Sequence, residues 1–130
     1  MNFRSTPTQT NSVYLERLQQ AKRVLLSLSE QQRTANFDIS IFAKRSDHGV
    51  IACIAGYCGL DPWFQERGFV TTVGYELGDV SLPPDRFFGT ARPFAPQFYP
   101  TGKAATFNDA VMALDSAIEW FSSEANEVSA

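Results

Sequence analysis

The sequence predicts a single α+β domain, mainly α: two long amphipathic helices packed around a short buried helix of small residues, with one β-hairpin and a loop rich in proline and aromatics. Three observations carry this. Apolar residues recur at helical spacing in Tyr14, Leu18, Ala21, Leu25 and Leu28, and again in Phe107, Val111, Leu114, Ile118 and Phe121. Between these stripes, "HGVIACIAGYCG" at 48–59 is apolar on every side of a helix, with Gly49, Ala52, Gly56 and Gly59 forming a row of small residues. The stretch "FVTTVGYELGDVSL" at 69–82 is β-branched and aromatic, broken at Gly74 and at Gly78-Asp79 as a hairpin would be.

Taken in order, residues 1–11 are polar with Pro7 and are expected to form a flexible arm, residues 12–122 the globular domain, and residues 123–130 a flexible tail. The first helix starts near Ser12, with Glu16 early and Lys22 and Arg23 late, the sense the helix dipole favours. "FDISI" alternates Phe37, Ile39 and Ile41 with polar residues and reads as a short half-buried strand, although a run so brief also admits a helical turn. Asp47 is placed to N-cap a helix from His48 to about Leu60. In "DPWFQERGF", Asp61 is the N-cap, Pro62 the first helical residue and Gly68 the stop. "PPDRFFGT" reads as one turn closed by Gly89, and the prolines at 93, 96 and 100 exclude regular helix in the loop that follows. Thr106 and Asp109 make a capping box for the last helix, where Ala110, Ala113, Ala117 and Trp120 widen the apolar face.

Composition narrows the function classes. The chain has 130 residues, 44% hydrophobic and 13% aromatic, which suits one domain and is too apolar for a disordered chain. Residues 1–46 hold seven Lys/Arg against three Asp/Glu, and residues 47–130 hold four against eleven, for a net charge of −3. The acidic excess of the longer part argues against broad nucleic-acid binding, for which only Arg33, Lys44 and Arg45 would speak. There is no secretory signal pattern and no run of 18 apolar residues, so a protein of the bacterial cytoplasm with two reduced cysteines and no membrane contact is expected.

The stretch at 48–59 holds the only histidine and both cysteines. His48, Cys53 and Cys58 are five residues apart, which places neighbours roughly 140° apart on a helix and on opposite faces of a strand. No metal site and no cofactor are therefore expected, since zinc motifs use Cys-x2-4-Cys or His-x3-His spacings. As catalytic groups, His48 and Cys53 are weak candidates: Cys53 would lie in the second turn, where the dipole has faded, and His48 in the first turn would serve as a neutral base. The spacing favours a buried core helix.

"FDIS", "HGVIACIAGYC", "DPWFQERGF", "RFFG", "FYP" and "ATFNDAVMALDSAI" together resemble a family of small uncharacterised proteins of bacteria, their phages and prophages. Its members carry Phe-Asp-Met, a Cys-Gly-Thr-x-Ala-Cys-x-x-Gly-Trp core, a Phe-x-Gly-Leu helix and a closing helix. The resemblance spans residues 37–121, with His48 standing for the first family cysteine, Val50 for the threonine and Tyr57 for the tryptophan. It implies a phage or mobile-element setting and supplies no established activity.

The aromatics of the irregular segments exceed what a small core readily takes in. Trp63, Phe64, Phe87, Phe94, Phe98 and Tyr99, interleaved with Arg67, Arg86 and Arg92, are therefore expected to bind a protein partner, as interface anchors do. Read with the implied phage setting, the expectation sharpens to a non-catalytic inhibitor of a bacterial defence complex of the anti-CRISPR kind. A cysteine- or histidine-dependent enzyme and a homo-oligomeric structural or regulatory protein, in which exposed aromatics face another copy, are the alternatives.

Overall fold

The computed structural model describes residues 7–96, 99 and 106–129. The predicted class is the observed one: a mainly helical α+β fold, framed by helix α1 (Pro7–Leu26) and helix α6 (Phe107–Ser129). Both helices run further than expected. Pro7 fits a first helical position, where its missing N–H would have had no partner, so α1 takes in residues 7–11 of the expected arm. At the other end "EANEVS" contains no Gly or Pro to stop α6, which continues through 123–129 of the expected tail.

The two stripes face each other. Leu18, Ala21 and Leu25 of α1 and Ala110, Leu114 and Phe121 of α6 are buried in one core, and Tyr14 meets Phe121 at 5.7 Å between ring centroids. Lys22 Nζ reaches Asp115 Oδ1 at 2.6 Å across the helix pair. Thr106 and Asp109 form the expected capping box, with Thr106 N donating to Asp109 Oδ2 and Asp109 N to Thr106 Oγ1. A second box, Ser29 with Gln32, starts the short helix α2 (Glu30–Thr34).

The middle of the chain departs from expectation. Residues 43–52 form an antiparallel hairpin of β1 (Ala43–Ser46) and β2 (Gly49–Ala52), with Ala43 opposite Ala52 and Ser46 opposite Gly49. The helix expected from His48 begins only after it, as α3 (Ile54–Cys58) with Cys53, not Asp47, at its N-cap. The reason is local. Gly49 adopts φ +108°, which suits the end of a tight turn and no helix, and Val50 and Ile51 are β-branched. The strand expected at 37–41 shrinks to one bridge, Phe37 beside Ala52. Asp38 Oδ1 accepts from both Ser40 N (2.9 Å) and Ser40 Oγ (2.6 Å), closing a side-chain turn that diverts the chain.

The small residues do mark a point of closest packing, shared between two elements. A Cβ on Gly56 would run into the backbone carbonyl of Phe42, and one on Gly59 into Thr71. Thr71 Oγ1 donates to Gly56 O at 2.8 Å, and Thr71 N donates to Gly59 O at 3.1 Å. Gly49 and Ala52 belong instead to β2. Beyond α3, Asp61 caps α4 (Pro62–Gln65) by accepting from Trp63 N at 3.1 Å, and the expected hairpin at 69–82 is present as β3 (Thr71–Thr72) and β4 (Asp79–Val80). Arg45 N donates to Gly74 O, and Gly78 N to Ala43 O, tying this hairpin to β1. Helix α5 (Pro84–Phe88) ends at Gly89 with φ +78°, and a 3-10 turn at Arg92–Phe94 leads towards Tyr99.

Candidate functional site

The aromatic anchors expected on the surface are largely interior. Phe64, Phe87, Phe94 and Tyr99 are buried, and Phe98 lies outside the described residues. Phe64, Phe69, Phe87, Phe88 and Phe94 pack as one cluster, with Phe88 stacked on Phe94 at 4.3 Å and Phe69 4.7 Å from Phe87. Short helical turns bring four of them, α4 for Phe64, α5 for Phe87 and Phe88 and the 3-10 turn for Phe94, and edge-to-face and offset ring contacts tolerate the mixed angles at which these turns meet. The surplus of rings therefore forms a second half of the core under α1, sealed by Arg17, whose guanidinium lies 4.0 Å from the Phe87 ring centroid while Nη1 donates to Phe87 O. Trp63 is half-buried beneath Arg67, which lies 3.6 Å over its ring. Arg67, Arg86 and Arg92 are exposed. Tyr99 Oη donates to Pro93 O at 2.8 Å, and burial pushes its hydroxyl pKa up.

His48 and the thiols are separated by environment. His48 stands exposed in the β1–β2 turn, where its N–H donates to Ser46 Oγ and its carbonyl accepts from Asn36 Nδ2 (3.0 Å) and Gln31 Nε2 (3.3 Å). It lines an open cleft of about 480 Å³ with Gln31, Gln32, Asn36, Tyr57 and Asp61, and neither cysteine reaches that cleft. Tyr57 Oη donates to Asn36 O at 2.6 Å, so the cleft's one phenol is held against backbone, and burial raises its pKa to about 12. Cys53 and Cys58 are 2% and 0% exposed. Burial raises Cys53 to about 11 against backbone N–H groups that pull the other way, and burial, with Cys53 and Asp61 nearby, holds Cys58 well above its ordinary value. The expectation that His48 sits in a helical first turn is corrected by the hairpin. Among the described residues no group of three His, Cys, Asp or Glu side chains gathers where a metal could sit.

The most exposed large apolar side chains occur in two places, at Tyr75 and Leu77 between β3 and β4 and on α6, and of these only those of α6 border a groove among the described residues. Trp120 was placed on the buried face, yet it is 57% exposed, and Met112 is 66% exposed. The stripe that meets α1 is 107–114–121, and Trp120 lies roughly 100° off Phe121, which it touches edge-to-face at 4.8 Å. Met112, Ser116 and Trp120 form one i±4 ridge, with the row Ala113, Ala117 and Phe121 beside it. Gly89, Thr90, Arg92 and Tyr99 provide the opposite wall of a groove of about 570 Å³. Its only charged linings among the described residues are Asp109 and Arg92. Of the eight expected anchors that lie among the described residues, the groove gathers Arg92 and Tyr99. The signal available beforehand was the pair Met112 and Trp120, which do not share the main stripe's phase.

No family model, curated protein or solved structure matches the chain. Among the described residues no helix is long and apolar enough to cross a membrane.

Proposed function

We propose that the chain is a small non-catalytic protein-binding module whose docking surface is the groove on α6. The observation that carries this is the exposure of Met112 and Trp120, 66% and 57%, above a hollow floored by alanines. Tryptophan and methionine are enriched in interface cores, and an exposed apolar patch rimmed by polar residues is a contact surface in a protein of this size. The competing enzyme reading is weakened by its own nucleophiles, because buried thiols whose pKa values are raised hold little thiolate near neutrality.

The narrower reading is a cytoplasmic inhibitor of a bacterial defence complex encoded by a phage or mobile element. It draws on the family resemblance of residues 37–121 and on the acidic excess of residues 47–130. A photo-crosslinking residue placed at Met112 in a bacterial cell tests the docking surface: protein adducts are expected there and not at Arg86, which lies outside the groove. Absence of any protein adduct at position 112 overturns the reading. Unchanged phage restriction in a CRISPR-immune host expressing the chain removes the narrower version alone.

A further inference from the structure

We infer that the cleft between α2, the β1–β2 turn and α3 is a binding site for an organic cation on an aliphatic stem, a guanidinium by preference. Its buried end is made by Asn36 and Tyr57. Asn36 is 5% exposed, and its backbone is fully engaged, the N–H with Gln31 O and the carbonyl with Ala52 N and Tyr57 Oη. In its side chain, Nδ2 donates to His48 O at 3.0 Å, and no group among the described residues donates to Oδ1. A buried amide oxygen without a donor is uncommon in a folded protein, and the cleft that Asn36 lines is where a donor can enter. Tyr57 has one hydroxyl proton, which goes to the backbone carbonyls of Asn36 and Val50, so towards the cleft its oxygen can only accept. The buried end thus asks for N–H groups.

Charge and shape select the ligand class. With His48 neutral at pH 7, Asp61 brings the one formal charge in the lining, and no Lys or Arg lines the cleft among the described residues. Asp61 Oδ2 accepts from Trp63 N to cap α4, which leaves Oδ1 without a donor. Arg33, the base of α2, is committed elsewhere: Nε and Nη2 donate to Leu28 O and Leu26 O, and its guanidinium lies 4.8 Å from the Phe107 ring centroid. At the rim, Ser29 and Gln32 are engaged with each other in their capping box, while Gln31 gives Nε2 to His48 O and keeps Oε1 as a further acceptor. Leu28, Val50, Leu60 and Pro62 supply aliphatic walls along which a methylene stem can lie. A guanidinium carries five N–H donors in one plane and no acceptor, and is less strongly hydrated than an ammonium, so it matches acceptors that arrive from separate segments. None of these residues lines the α6 groove, so the inference stands or falls apart from the docking surface.

The test is titration of the isotope-labelled chain with Nα-acetylarginine amide, followed in two-dimensional NMR spectra. Saturable shifts are expected on the Asn36 side-chain amide and on the backbone amides of His48, Gly49 and Leu60, with a dissociation constant on the order of millimolar, the range open to a ligand of this size. Nα-acetylcitrulline amide, of the same shape and neutral, should bind at least roughly tenfold more weakly. Asp61→Asn keeps an oxygen for Trp63 N, so the urea midpoint should hold, and it removes the charge, so arginine binding should weaken at least roughly tenfold. Agmatine distinguishes the source: tighter binding than the capped arginine assigns a free small cation, and weaker binding assigns an arginine side chain of a protein partner. The inference is overturned if no saturable shift appears by roughly 50 mM, if the citrulline compound binds equally, if the shifts centre outside the cleft, or if Asp61→Asn binds as before. Because the citrulline comparison uses the unaltered chain, it decides whatever Asp61→Asn does to folding.

Discussion

Replacing Phe64 by Ala separates a core role from a surface role by magnitude alone. Phe64 is fully buried, with the rings of Trp63, Phe69, Phe87 and Phe88 at 4.9, 6.1, 6.0 and 5.6 Å from its own. Truncating a buried Phe costs about 3–5 kcal/mol, and loss of four ring contacts in a rigid cluster places this site in the middle of that range or above. A domain of 130 residues has about 7–20 kcal/mol in total, so the variant still folds. With a urea dependence of about 2 kcal/mol per molar, the unfolding midpoint should fall by about 2 M at unchanged slope. The assay is urea unfolding followed by both far-UV circular dichroism and tryptophan fluorescence. An exposed anchor would change stability by no more than about 0.5 kcal/mol, or about 0.25 M, and a shift that small would refute the placement of Phe64 in the core. Arg86→Ala, an exposed neighbour in the same region, should give that small shift.

Four further outcomes are expected. Gly56→Ala should destabilise by the upper part of about 1–3 kcal/mol, because the Phe42 carbonyl must move, and this exceeds the up to about 1 kcal/mol that Ala gains over Gly in a helix. A neutral or stabilised variant in the same urea assay would contradict the close packing at α3. Neither cysteine should react with a thiol reagent at pH 8 in the native state, while both react in denaturant, and rapid native labelling of either would reverse the conclusion on burial. The same burial sets a pH dependence: Cys53 ionises near 9 when unfolded and at about 11 when folded, so its contribution is fully present below pH 9 and is lost as pH rises to about 11, a fall of about 3 kcal/mol from this group. Urea midpoints measured across that window check the sign, and Cys58 and Tyr57, both raised by burial, act in the same direction. Thr106→Ala removes the N-cap acceptor of α6 and should cost about 1 kcal/mol, read by the shift in midpoint.

The long helices and their signals were legible because each is a local property: a 3.6-residue period in 14–28 and 107–121, Asp61 before Pro62, Thr106 before Asp109, Gly89 after α5. The β1–β2 hairpin was hidden because strands of four residues are too short to show alternation, and the apolar run at 49–58 satisfies a buried helix equally well. Its true sign was the turn chemistry of "SDHG", where Gly49 takes a backbone conformation that no helix uses. The fate of the aromatics could not be read, because Phe64, Phe69, Phe87, Phe88 and Phe94 are joined only by tertiary packing, and composition does not say whether surplus rings turn inward. The groove was missed for a related reason. Which side of α6 faces outward depends on its register against α1, and the opposite wall comes from the chain after Gly89.

The account turns on the α6 groove being the surface through which the chain meets protein. Photo-crosslinking in bacterial cells, with the reactive residue placed in turn at Met112, Trp120, Thr90, Trp63, Arg67 and Arg86, addresses it most directly. Protein adducts are expected at Met112, Trp120 and Thr90, which line the groove. Adducts confined to Trp63, Arg67 and Arg86, or no protein adduct at any position, would contradict it.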